Sequence, residues 1–374
     1  MLRIDHPLLS SSLGSTKTLT SFHWGQPGSG PKVYIQASLH AEELPGMLVA
    51  HHLRALLENA EAADQIQGEI ILVPVANPLG LAQRVDHRPM GRFDLDTSEN
   101  FNRHYPDLAG AVGPLVRDAL GADPTANIAL VREAMGNYLG NWVLDTELQS
   151  LRHRLLTLAH DADFVLDLHC DCEGVLHFYT EEACWPQLEP LARFLGSEAI
   201  LLAKNSGSGP FDECLSGAWW RLAEDFSGPG RPLPQGCCST TIELRGELDV
   251  SHALAEQDAQ AIIDWLKHSQ LLACKRAPTV PAFKCRPTPL AGSETLKATA
   301  PGLVVFAAEV GQTLQIGDLV AEVIDPIANQ TQRVLAGVDG VFYARIRDRY
   351  ITAGGELGKI AGAVAFRTGE LLGA

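Results

Sequence analysis

Apolar and polar positions follow two different rhythms along this chain, and the change falls near residue 275. From residue 33 to about 270, short runs dense in Val, Ile and Leu alternate with longer stretches in which apolar residues recur every three or four positions. The short runs predict strands over 32–37, 69–75, 164–168, 199–203 and 239–244. The longer stretches predict helices over 44–57, 127–139, 145–160 and 250–272, the first started by Pro45. Strands alternating with helices pack as an α/β sandwich around a mainly parallel or mixed sheet, and sites in such sheets collect at the carboxyl ends of strands.

Residues 275–289, KRAPTVPAFKCRPTP, are basic and proline-rich and read as a linker. They divide the chain into residues 1–280 and 290–374. After the linker the pattern turns to short β-runs with glycine turns and a weak internal repeat. IGDLVAEV at 316–323 aligns with AGGELGKI at 353–360, and each half opens near a glycine, Gly302 or Gly340. Two similar β-units imply a small pseudo-symmetric β-sandwich. This tail resembles the biotinyl/lipoyl barrel-sandwich fold. Carrier versions of that fold present a lysine on the hairpin between the halves, whereas 324–335, IDPIANQTQRVL, contains none. The tail is therefore expected to be a structural or oligomerisation module.

Composition narrows the partners. The chain has 374 residues, 46% of them hydrophobic and 20% charged, the balance of a globular protein with a sizeable core. No apolar run reaches the ~20 residues that span a bilayer. The N-terminus, MLRIDHPLLSSSLGS, carries an acid and a proline where the core of a secretory signal would stand. A net charge of −16 repels phosphate backbones and anionic lipid, so nucleic acid and membrane are not expected partners. The eight cysteines form no C-x-x-C pair, and reduced thiols in a cytoplasm are expected. The sequence leaves the oligomeric state open, a homo-oligomer included.

Four constellations carry candidate chemistry. His40-Ala-Glu-Glu43 follows the first predicted strand. It is either a polar turn at a helix start or a pair of metal ligands, since zinc takes imidazole and carboxylate donors. Asp167-Leu-His169 closes another strand, with Cys170 and Cys172 beside it. Glu243 sits inside the β-branched run TTIELR, where a carboxylate is costly unless it is paired, with Arg245 for instance, or functional. The polar segment 84–103, RVDHRPMGRFDLDTSENFNR, offers arginines that suit a carboxylate or an oxyanion. His51-His52 falls within a predicted helix and reads as surface or helix-packing histidine.

The order H-x-x-E, N-P, an arginine segment ending N-R, D-x-H and E-L-R resembles the succinylglutamate desuccinylase/aspartoacylase family of zinc carboxypeptidase-like hydrolases, over roughly residues 30–270. The resemblance extends to bacterial members with a C-terminal barrel-sandwich domain. It implies a three-layer α/β sandwich and one Zn2+ per chain, held by His40, Glu43 and His169. It implies Glu243 as general base, Asn102 and Arg103 as the grip on a substrate carboxylate, and Arg92 as the group that polarises the scissile carbonyl, with Arg88 an alternative. Family members carry an acid where this chain has Asn100. Asp94, Asp96 or Glu99 is the alternative holder of that role, and Tyr179 is a candidate for the family's late tyrosine. The activity implied is zinc-dependent hydrolysis of a linear amide in a small anionic N-acyl amino acid. A metallo-carboxypeptidase or a catalytically silent zinc-binding protein are the alternatives.

Overall fold

The computed structural model describes residues 1–372. Its centre is a nine-stranded mixed sheet. In spatial order the strands are Leu2–Pro7, Thr18–Gly25, Glu69–Val73, Lys32–Ala37, Phe164–Asp171, Cys238–Gly246, Leu176–Glu181, Ala199–Ala203 and Thr288–Pro289. The central strands run parallel: Lys32–Ala37 pairs with Glu69–Val73 on one side and Phe164–Asp171 on the other, and the latter pairs with Cys238–Gly246. These strands are near-continuous apolar runs because both faces are covered.

Each face of the sheet meets its own layer of helices. Tyr34 and Val165 point to a core that includes residues of Leu108–Val116, Pro124–Gly140, Glu147–Ala159 and Phe211–Phe226. Val33, Ile35, Leu166 and Leu168 point the other way, to Pro45–Ala62, Trp185–Leu195 and His252–His268. The alternation of side chains along a strand thus sorts one hydrophobic run into two cores. The expected three-layer sandwich is what the chain forms.

The predicted strands at 32–37 and 199–203 coincide with the observed ones, and 164–168 extends to Asp171. The first helix lasts to Ala62. It approaches the sheet closely at Gly46, where an added Cβ would lie 3.0 Å from the Ala37 Cβ and 3.1 Å from the Leu168 carbonyl oxygen.

Beyond the linker lie two antiparallel sheets. One is ordered Ser293–Lys297, Glu356–Gly362, Gly340–Arg345, Thr313–Leu314, and the other Gln330–Leu335, Leu319–Asp325, Gly302–Phe306, Tyr350–Ile351. The internal repeat is visible as two related hairpins, 302–325 and 340–362, each of which lends a short strand to the other sheet. The region is stitched to the main body by backbone pairing of Gly174 and Glu173 with Ala344 and Arg345. No helix among the described residues is long and apolar enough to cross a membrane.

Candidate metal centre and its cavity

The strand Lys32–Ala37 ends in a loop in which Ser38 adopts a φ of 65°, and His40 and Glu43 follow before the helix begins at Pro45. Asn77 fixes this loop from the next strand end. Its side-chain nitrogen donates to the Leu39 carbonyl at 2.9 Å, and its oxygen accepts from the Gly80 N–H at 2.8 Å. Glu42 is more than the helix-start charge that its position suggests. It accepts from the Gly91 N–H at 2.9 Å and so ties the arginine segment to the histidine loop.

His40, Glu43 and His169 converge, all buried, with ligand atoms within 4.8 Å of one another. Glu43 bridges the imidazoles: Oε1 lies 2.9 Å from His40 Nδ1, and Oε2 2.7 Å from His169 Nδ1. Oε2 also accepts from the Cys170 N–H at 3.1 Å. Each imidazole is anchored through its other nitrogen. His40 Nε2 donates to Asn100 Oδ1 at 2.8 Å, and His169 Nε2 lies 3.0 Å from Asp167 Oδ2. Asp167 is itself held by Gln36, which donates to Oδ1 at 2.9 Å and accepts from the Tyr34 hydroxyl at 2.9 Å. At His40 the hydrogen bond to Asn100 fixes tautomer and ring orientation, as in known metal sites, while at His169 the contact is an ion pair.

Electrostatics separate the two histidines. Burial, aided by the neighbouring Arg92, pushes His40 down to about 4. Burial also opposes charge on His169, but the Asp167 and Glu43 carboxylates outweigh it and hold its pKa well above the ordinary imidazole value. Burial opposes charge on Glu43 too, and here His169 and His40 prevail and keep it well below the usual carboxylate range. With the proton of neutral His40 on Nε2, its Nδ1 is a lone pair 2.9 Å from a carboxylate oxygen. Two acceptors that close need a cation between them, and the Arg92 guanidinium provides one, at 3.3 Å from His40 Nδ1 and 3.2 Å from Glu43 Oε1. The donor set, two imidazole nitrogens and a carboxylate, fits a divalent ion of the zinc type.

Around the triad lies a cavity of about 460 Å³, the size of a small-molecule site. Glu243, Arg92, Asn102, Arg103 and Tyr179 all line it. Arg88 does not; it is exposed on the short hairpin formed by Arg84–Val85 and Arg88–Pro89. Glu243 stands in the sheet with His169 and His177 as its cross-strand neighbours. Its Oε2 makes no hydrogen bond, and burial followed by repulsion from Glu43 raises its pKa to about 8. Arg245, the sequence's candidate partner for it, pairs instead with Asp258 at 2.8 Å. Asn102 accepts from the Phe211 N–H at 2.8 Å, and Arg103 donates to the Asn102 carbonyl at 2.7 Å.

The open question of the missing acid closes on Asn100. Glu99 pairs with Arg152, Asp94 is bonded to Thr97, and Asp96 is exposed, so none of them replaces it at His40. Cys170 and Cys172 lie outside the ligand cluster, and all eight cysteines are free thiols.

Sequence reasoning missed the contribution of the tail. Tyr343 and Lys359 line the same cavity. Lys359 Nζ lies 2.9 Å from Asp171, and the Tyr343 hydroxyl lies 3.5 Å from that of Tyr179. The tail is therefore part of the cavity wall and not only a structural module.

Comparison with known proteins agrees with this geometry. Residues 29–269 match the family model of the succinylglutamate desuccinylase/aspartoacylase catalytic domain. A structure from Shewanella frigidimarina named for that family superposes with a TM-score of 0.84 at 26% identity, covering 96% of this chain and 97% of that one. One from Shewanella amazonensis gives 0.83 at 27%, covering 96% and 98%. The ectoine utilization protein EutE (DoeB) from Ruegeria pomeroyi shares the fold, with a TM-score of 0.66 at 16% identity, covering 96% and 94%. Among curated proteins none matches. Since the family model spans the His40–Glu43 loop, His169 and Glu243 together, this chain belongs to the succinylglutamate desuccinylase/aspartoacylase family.

Proposed function

We propose that the protein is a zinc-dependent deacylase that hydrolyses the amide bond of a small N-acyl amino acid or a related derivative. The observation that carries this is a buried His40–Glu43–His169 triad opening into the cavity that also holds the unpartnered carboxylate of Glu243. His40 Nδ1, His169 Nδ1 and Glu43 are the ligands. When bound, zinc lowers the pKa of a coordinated water and polarises a carbonyl. Glu243, whose raised pKa suits proton exchange near neutrality, accepts the proton of the attacking water and returns it to the leaving amine. Arg92, already beside the ligand atoms, stabilises the negative charge that develops on the acyl oxygen. Asn102 and Arg103 orient the substrate carboxylate, which brings an anionic substrate to a protein of net charge −16. In this reading residues 1–280 form the catalytic domain and residues 290–374 a β domain that closes the cavity.

The test is a metal analysis combined with hydrolysis assays on N-succinyl, N-acetyl and other N-acyl amino acids and on short peptides, with wild type and Glu243→Gln. Hydrolysis of N-acyl amino acids is expected, with zinc bound in both proteins and turnover of Glu243→Gln reduced by about 10²–10⁴-fold. Cleavage of peptides alone would replace the deacylase with a carboxypeptidase. Retained turnover in Glu243→Gln would remove Glu243 as the base.

A further inference from the structure

A second group of metal-ligating side chains lies outside the cavity, where the helices Pro45–Ala62 and His252–His268 pack against one another. His52 comes from the first helix. His252 and Glu256 come from the second, one turn apart and therefore on one face. His52 Nε2 and His252 Nδ1 are 3.0 Å apart, with the rings edge to face and centroids 5.2 Å apart. Glu256 Oε1 reaches to 3.9 Å from the His52 ring, and one ligand atom from each residue lies within 4.8 Å of the others. His52 is largely covered, with 17% of its side chain exposed, whereas Glu256 is open at 63%.

Two imidazole nitrogens 3.0 Å apart cannot both present lone pairs, so they share a proton or a metal ion. Both histidines stand on helices whose positions are fixed independently of this contact. Ser251 caps the second helix by accepting from the Leu254 N–H at 3.3 Å, and Gly46 sets the first against the sheet. A preorganised pair of imidazoles with a mobile carboxylate is a donor set for Zn2+, Co2+ or Ni2+, and a poor one for Mg2+ or Ca2+, which want oxygen. The positive end of the His252–His268 helix works against a cation there, and the Glu256 carboxylate offsets it.

We propose that His52, His252 and Glu256 form a peripheral site for a divalent transition-metal ion, completed by solvent. The ion clamps two helices that flank the candidate active site in sequence. The first begins two residues after Glu43, and the second follows the strand that carries Glu243. The clamp is structural: when the ion binds, the N–H that bridges the two rings shifts to the far nitrogen of its own imidazole, so that both rings ligate in the neutral form.

The experiment compares the metal stoichiometry of the full-length protein, stripped with chelator and titrated with Zn2+, between wild type, His252→Gln and Glu256→Gln. Both substitutions are at exposed positions, so the fold is retained. The difference in stoichiometry is the readout, and it is independent of whether the His40 triad is occupied. Wild type is expected to bind one more ion than His252→Gln. Loss of an outer partner of a metal ligand already costs 10–100-fold in affinity, so Glu256→Gln, which removes a ligand, is expected to weaken the extra ion at least about tenfold. Zn2+ should raise the Tm of wild type more than that of His252→Gln, and Mg2+ should raise neither through this site. Equal stoichiometry in wild type and His252→Gln, or an extra ion unaffected by both substitutions, overturns the site.

Discussion

Asn100→Asp is the most informative single change, because it tests the tautomer on which the proposed metal site depends. Asn100 Oδ1 accepts two hydrogen bonds, from His40 Nε2 at 2.8 Å and from the Asn102 N–H at 2.8 Å. The backbone donor fixes which end of the amide faces inward, so His40 Nε2 carries a proton and Nδ1 is free to ligate. Asn100 Nδ2 is buried without a partner. The aspartate removes that orphan donor and turns two neutral hydrogen bonds into charge-assisted ones. A neutral bond contributes about 0.5–1.5 kcal/mol and one to a charged group about 1.5–3 kcal/mol. The strengthened contact at His40, transmitted to Nδ1 as greater basicity, thus adds on the order of 1–1.5 kcal/mol. That is about a tenfold gain in zinc affinity at 1.4 kcal/mol per decade. Competition with a chromophoric chelator measures it. The metal-free protein should meanwhile lose stability in denaturant titration, since a carboxylate is buried without its cation. Affinity unchanged or reduced would refute the reasoning, because it would mean that His40 does not ligate through Nδ1 against an acceptor at Nε2.

Three further outcomes follow from contacts around the cavity. Gly91→Ala places a Cβ 2.5 Å from the Glu42 backbone nitrogen and 2.8 Å from the Ala41 carbonyl carbon. Overpacking of this kind costs about 1–3 kcal/mol, and displacing the loop should weaken zinc binding as well; unchanged zinc affinity and Tm would contradict the tight approach. Lys359→Met leaves Asp171 without its cation, and with 31% of the lysine side chain exposed the expected loss is about 1–3 kcal/mol, below the range for fully buried pairs; an unchanged denaturant midpoint would show the pair to be fully screened. Glu213 is raised to about 7 by burial and then by Asp212, so the folded state holds a proton that the unfolded state has already released above its ordinary pKa. Stability contributed by that proton is present at acid pH and lost as pH rises through about 7, by at most about 3 kcal/mol at 1.36 kcal/mol per pKa unit. Glu213→Gln should flatten stability between pH ~5 and ~7, and an unaltered pH profile would remove Glu213 as the cause.

The parts of the fold legible in the sequence are those in which local pattern and burial agree. Lys32–Ala37 and Ala199–Ala203 are read residue for residue, because both are short apolar runs bounded by polar turns. The missed elements break that agreement. Trp185–Leu195 has its buried residues at helical spacing but carries Pro190, a helix breaker, and Phe211–Phe226 interrupts its apolar stripe with buried Asp212, Ser216 and Gly217. Leu2–Pro7, at the sheet edge, has no fully covered residue and no apolar run to mark it. At the candidate site, His40, Glu43 and His169 are legible because they stand at or just beyond strand ends, and Glu243 because a carboxylate inside a β-branched run is conspicuous. Gln36, Tyr343 and Lys359 are not. A polar residue in a buried strand looks like noise, and a lysine in a distant β-run looks like a solvated charge until the chain brings it back to Asp171 across 188 residues.

The strand from Phe164 shows why the last few residues of an element can matter most. Its apolar pattern ends at Leu168, but the pairing continues to Asp171. Asp167, His169 and Asp171 are spaced by two and share one face. Asp167 anchors His169 from below, and His169 contacts Glu43. Asp171 extends the same row to Lys359 in the β-rich tail. A carboxylate, an imidazole and a carboxylate in alternate positions thus join the buried Tyr34–Gln36 relay, the candidate metal centre and the far wall of the cavity along one rigid backbone. Since a one-residue slip would turn this whole row to the opposite helix layer, the register between Glu243 and His169 holds the proposed base, the proposed ligands and the tail lysine in one arrangement. Displacement of any one of them should therefore be felt at the others.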